Sequence, residues 1–255
     1  MGSFWYLAQT VYCLPDEALH CELPVMNWLS PGEIDALCLS LSVATRSVLF
    51  SLGPAILLAW LLARRRFPGR TLLDTVVHLP LVLPPVMVGY LLLLLFGTRG
   101  PIGGWLERVL GIELIFTRNG AALATAVMSF PLMVRAMRIS LENIDRGLED
   151  AARTLGAGAF DRFATITLPL MLPGVLAGAI TAFSAALGEF GAVITFVSNI
   201  PGETRTLPLA LYTALQTPGG DSAAARLACL SLALGLAGLL LSEYFARRMR
   251  LLLGR

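Results

Sequence analysis

The chain has 255 residues, 56% of them hydrophobic and 14% charged, with a mean hydropathy of +0.74 and a formal net charge of +2. A soluble domain carries about 25% charged residues, so this is the composition of a membrane protein, and the small, scattered positive charge excludes a nucleic-acid surface. All 19 basic residues are Arg; without Lys the chain has no phosphate-binding P-loop, and any ATP used with it is hydrolysed by another subunit.

Residues 1–36 read as an N-terminal tail. Met1 to Val25 holds no basic residue and so lacks the charged start of a secretory signal. These first 25 residues are either an interfacial segment or sequence preceding a start at Met26, and the second is the expectation. None of Cys13, Cys21, Cys38 and Cys229 has the two-residue spacing of a zinc or redox motif. They read as apolar thiols, a Cys13 to Cys21 disulfide being the alternative should the tail face an oxidising compartment.

Apolar stretches of the length that crosses a bilayer, about 20 residues, then recur to the end of the chain. The first, Leu37 to Ala63, contains Arg46 and a row of hydroxyls, Ser40, Ser42, Ser47 and Ser51. The second, Val76 to Phe96, is interrupted by Pro80, Pro84 and Pro85, which remove backbone donors. Irregular backbone at membrane depth is tolerated only against protein or water, so a bent helix lining a route and a kink for packing are both open. The third span is Gly120 to Ile139, whose last turns carry Arg135 and Arg138 with long stems that snorkel.

A polar segment comes next, and residues 141–169 form the most informative stretch of the chain. Leu141 to Leu155 has the spacing of one amphipathic helix, with Leu141, Ile144, Leu148, Ala151 and Leu155 against Glu142, Asp145, Glu149 and Asp150. Gly156 suits the left-handed residue that stops a helix, and a second short helix is expected over residues 160–165 before Pro169. Ala151 and Ala152 are small enough for another backbone to come close. The whole reads as a helix-Gly-helix knob that fits a cleft in a partner.

The fourth span, Leu172 to Phe196, holds Glu189 beside Gly188, and an ionisable residue in such a span is a functional candidate. The glycines next to it permit close helix approach. Asn199 to Pro208 reads as a sharp loop turning at Pro201-Gly202, and the fifth span is Ala223 to Phe245. Residues 246–255 form a basic tail. The fold expected is an all-α polytopic membrane protein with a transmembrane domain over 37–245 and about five spans, six if the tail inserts.

Thirteen arginines lie in the segments after spans one, three and five, against four in the opposite loops. Positively charged loops stay in the cytoplasm, so the N-terminus is expected outside and the C-terminus inside. A secondary carrier usually shows paired broken helices, and the Pro80 to Pro85 break has no evident second copy. An intramembrane protease motif such as H-E-x-x-H is absent, and His78 stands alone beyond the tail, which argues against an imidazole metal centre.

The segment from Glu149 to Pro169 resembles the EAA loop of ABC importer permeases at Glu149, Ala151, Ala152, Gly156, Leu168 and Pro169, with Asp150 making the run E-D-A-A. His78 to Tyr90 (HLPLVLPPVMVGY), Ser129 to Arg135 (SFPLMVR) and Leu187 to Pro208 (LGEFGAVITFVSNIPGETRTLP) resemble the molybdate permease family of the ModB type. The resemblance covers roughly Met26 to the C-terminus; sulfate, thiosulfate and tungstate permeases are related. It implies a non-catalytic subunit of the bacterial inner membrane that pairs with itself. Two ATP-binding subunits would dock inside, on the loop around Glu149 to Gly156, and a periplasmic molybdate-binding protein outside. No cofactor is implied for this chain, ATP being used by the partner. For such a substrate, ionised Glu189 repels a dianion, so it is expected at the outer end of its span, pairing with an Arg or steadying a gate. Arg46 has the sign to attract the anion, with pairing to an acid as the plainer expectation. Arg46, Pro84, Pro85, Gly188 and Glu189 are thus the candidate path residues.

Overall fold

The computed structural model describes residues 29–65 and 67–252. The proposed start at Met26 and the Cys13 to Cys21 pairing lie outside the described residues. Helix α1 is Pro31–Arg64, capped by a reciprocal pair in which the Ser30 hydroxyl accepts from the Glu33 N–H and Glu33 accepts from the Ser30 N–H. Helices α2 (Arg70–Val82) and α3 (Pro85–Phe96) come next, then α4 (Gly103–Leu110), α5 (Arg118–Glu142) and α6 (Arg146–Thr154). Helix α7 (Ala159–Arg162) runs through a π-helical turn, Phe163–Thr167, into α8 (Leu168–Leu187). The chain ends with α9 (Gly191–Val197), α10 (Leu207–Gln216) and α11 (Asp221–Leu252).

The all-α reading holds. Four helical segments, within α1, α5, α7 to α8, and α11, are long and apolar enough to cross a membrane, and α2 with α3 makes a fifth if the bent pair counts as one span. The expected second span is therefore no gently kinked helix: its halves are bent by 117°, because Pro84 and Pro85 withhold consecutive donors from the ladder. The expected fourth span, Leu172 to Phe196, is likewise divided, since α8 ends at Leu187 and α9 is a separate short helix. The basic tail expected from residue 246 continues α11 to Leu252.

Helices α1, α5 and α8 pack on one another, α11 lies on α8, and α9 brings α3 against α5. Two cores result. At the end that carries α6, Ala59, Leu62, Met133, Met137, Leu141 and Met171 are buried together. At the opposite end Val43, Leu92, Ala121, Val193, Phe196 and Leu209 form the other. Helices α5 and α8 approach closely because a Cβ at Gly178 would stand 3.1 Å from the Met133 carbonyl oxygen. In a membrane this small-residue packing substitutes for the missing hydrophobic drive between helices.

The hydroxyl row of α1 faces this interior. Ser40, Ser47 and Ser51 are buried, and the Ser40 hydroxyl accepts the Leu207 N–H at 2.7 Å, tying the first turn of α10 to α1. At the same end, Arg226 of α11 reaches the Glu33 carboxylate through Nε at 3.1 Å and Nη2 at 2.9 Å. The loop before α10 turns where expected, Gly202 having φ +77°. It is held by Arg118, which donates to the Gly202 carbonyl at 2.7 Å, and by Arg205, which donates to the Asn199 side chain at 2.9 Å.

Candidate functional site

The loop over residues 141–169 is built as two anchored pieces with an exposed tip. One helix from Leu141 to Leu155 was expected; instead α5 ends at Glu142, and Asp145 starts α6 afresh by accepting the Gly147 N–H at 2.9 Å. An Asp at that position stabilises a new helix start more than continuation of the old one. The apolar set divides accordingly. Leu141 and Ile144 are buried in the core, whereas Leu148, Leu155 and Phe160 are exposed, the last two by 87% and 82%.

Gly156 stops α6 with φ +87°. The Ala157 N–H returns to the Ala152 carbonyl at 3.1 Å and the Gly156 N–H to Arg153 at 3.1 Å, the pattern that satisfies the last carbonyls of a helix. A Cβ on Gly156 would meet nothing within 4 Å, so the requirement there is conformational. Ala151 is exposed and Ala152 half-buried, leaving the α6 backbone open to close approach, and Asp150 is exposed beside them. Leu168 and Pro169 begin α8.

Glu149 is the joint of the loop. One carboxylate oxygen lies 3.0 Å from Arg64 Nη2 and accepts the Thr167 hydroxyl at 2.9 Å. Three segments meet at that oxygen: the last turn of α1, the middle of α6 and the π-helical turn that leads into α8. The Arg64 side chain is only 8% exposed, and its Nη2 also reaches the Ile144 carbonyl at 3.5 Å. A partly buried ion pair and a hydroxyl hydrogen bond thus tie α6 to α1 and to the turn that leads into α8. The Arg64 and Thr167 roles escaped sequence reading; the one signal for them was an Arg at the end of an apolar span.

Four of the five candidate path residues lie at two helix breaks whose flanking residues touch. The break at Pro84 and Pro85 abuts the break at Gly188 and Glu189: a Cβ on Gly191 would sit 2.8 Å from the Pro85 Cβ, and one on Gly89 would sit 2.7 Å from the Ala192 carbonyl. Glu189 pairs with no Arg among the described residues; its carboxylate accepts the Ala192 N–H at 2.9 Å and so caps α9. Arg46 is elsewhere. It pairs with no acid among the described residues and donates to the Asn119 side chain at 3.1 Å, near the start of α5. Two broken helices thus lock against each other, although only the first break is marked by proline.

A family model described as binding-protein-dependent transport system inner membrane component matches residues 55–251. The molybdenum transport system permease protein ModB of Escherichia coli K12 is 60% identical over 227 residues, 89% of this chain and 99% of that protein. The sulfate transport system permease protein CysT of the same organism is 35% identical over 223 residues, 85% of this chain and 80% of that protein. A solved bacterial ABC transporter that imports alginate superposes with a TM-score of 0.69 at 18% identity, over 97% of this chain and 90% of that one.

Proposed function

The chain belongs to the binding-protein-dependent transport system inner membrane components, and from that premise we propose that it is the permease subunit of an ATP-driven molybdate importer. The observation that carries the substrate is the 60% identity to a molybdenum permease along nearly its whole length, against 35% to a sulfate permease. A sulfate, thiosulfate or tungstate permease is the second reading, favoured by the 35% identity to the sulfate permease.

In this reading two copies surround a central path in the inner membrane. The α6, Gly156 and α7 knob faces the cytoplasm, where an ATPase subunit grips exposed Leu155 and Phe160; the surplus of arginines at that end supports the orientation. The N-terminus is outside and the C-terminus inside. A periplasmic molybdate-binding protein docks at the opposite end, near the loop over 199–208. The chain itself is non-catalytic, holds no cofactor, and carries the transmembrane domain over 37–245. Closure of the ATPase cleft moves α6, the Glu149 joint passes the movement to α1 and α8, and the α3 to α9 junction shifts with them. Differential contact with two arrangements is what couples such sites.

Co-expression with the ATPase and mass measurement of the intact complex in detergent tests the assembly. Two permease chains with two ATPase chains are expected, and replacing Leu155 and Phe160 by Ser should release the ATPase while the permease pair persists. A single permease chain, or an ATPase that stays bound to the double variant, would count against this arrangement.

A further inference from the structure

Helices α2 and α5 enclose an open groove of about 700 Å³, lined by Asp74, His78 and Val82 on one wall and Arg135, Arg138 and Glu142 on the other. Its two arginines differ. Arg138 is clamped, with Nη1 2.8 Å from the Asp74 carboxylate and Nε 2.9 Å from that of Glu142. The His78 ring stands 3.3 Å from the Asp74 carboxylate. Arg135, almost one turn deeper along α5, is exposed and makes no ion pair with any described residue.

Lipid is a poor neighbour for such a wall. A long Arg stem reaches the headgroups by snorkelling, but the short stems of Asp74 and Glu142 do not, and both carboxylates keep exposure of 34% and 48%. These charges sit at the edge of the expected spans, Asp74 just before Val76 and Glu142 just after Ile139, where charged groups face water or protein. The groove also extends to Val82, two residues before the break at Pro84, and so leads from the end carrying the coupling loop toward the junction of broken helices.

We propose that this groove is the cytoplasmic end of the anion path and that Arg135 is the group a tetrahedral dianion meets there. The inference rests on the oxyanion-importer reading above. A guanidinium offers several donors in a fork that matches paired oxyanion oxygens. Arg138 is occupied by its two carboxylates and so positions the wall. Those carboxylates also keep the site weak, which suits a passage: an ion must bind well enough to enter and poorly enough to leave.

The test uses the complete complex with its ATPase and binding protein in proteoliposomes. Arg135→Cys should react, beyond the unsubstituted chain, with a negatively charged, membrane-impermeant methanethiosulfonate applied from the cytoplasmic side. Arg135→Gln should lower the molybdate moved per ATP hydrolysed by about tenfold, the loss expected for one charge-assisted contact, and Arg135→Lys should restore most of it. An unreactive Cys at 135, or a Gln variant with the wild-type ratio, would overturn the proposal. A reactive Cys in a complex whose unsubstituted form moves sulfate and not molybdate would uphold the path and overturn the substrate.

Discussion

Replacing Gly156 by Pro is expected to cut transport by at least about tenfold while the chain still inserts in the membrane and still pairs. Gly156 holds φ at +87°, and Pro fixes φ near −65°, so the left-handed stop at the end of α6 cannot form. The substitution also removes the N–H that reaches Arg153. The segment from Ala157 through Phe160 would leave α6 in another direction, and the exposed Leu155 and Phe160 would no longer form one surface. Gly156→Ala separates the two causes: it keeps the N–H and meets no steric contact, costing only about 1–2 kcal/mol for the left-handed backbone. The Ala variant should therefore retain a substantial part of the transport rate. Transport at the wild-type rate in the Pro variant would remove the coupling role from this loop.

The second large effect concerns the joint at Glu149. Glu149→Ala takes away the acceptor shared by Arg64 and Thr167 and leaves the guanidinium, 8% exposed, without its carboxylate. Orphaning a buried partner costs about 1–3 kcal/mol, more when it is charged, and the 23% exposure of Glu149 keeps the figure in the lower part of that span. The rate of molybdate transport should fall about tenfold in Glu149→Ala, the rate equivalent of about 1.4 kcal/mol. Arg64→Ala should do the same, and the double variant should be no worse than either single one, because groups acting as a unit are not additive. Additive losses in that cycle would mean that Arg64 and Glu149 act separately.

Much of this was legible in the sequence. Spans α1, α5 and α11 are marked by long, mostly apolar runs, and the residues of the coupling loop by their pattern, Gly156 above all. The divisions inside the apolar and amphipathic runs were harder to see. Asp145 reads as one more polar residue on a helix face until its side chain is found accepting the Gly147 N–H. The end of α8 carries no proline; it coincides with a tertiary contact, Gly191 against Pro85, and a local one, Glu189 accepting the Ala192 N–H. The Ala192 N–H gives the Glu189 carboxylate a partner within its own segment. A second broken helix was therefore present without the signature that marked the first. The serines of α1 show the same limit, since their row on one face is visible in sequence but its inward direction depends on α10 arriving over Ser40. Arg135 and Arg138 looked alike as snorkelling residues and were told apart only by the carboxylates of α2 and α5.

The measurement that bears most directly on the proposed function is uptake of labelled molybdate at submicromolar concentration, in cells with and without this chain beside its ATPase and binding protein, and with excess sulfate as competitor. Uptake that depends on the chain and withstands sulfate is the predicted result. Uptake abolished by sulfate would contradict the substrate and favour a sulfate-type permease, and uptake indifferent to the chain would contradict the importer itself.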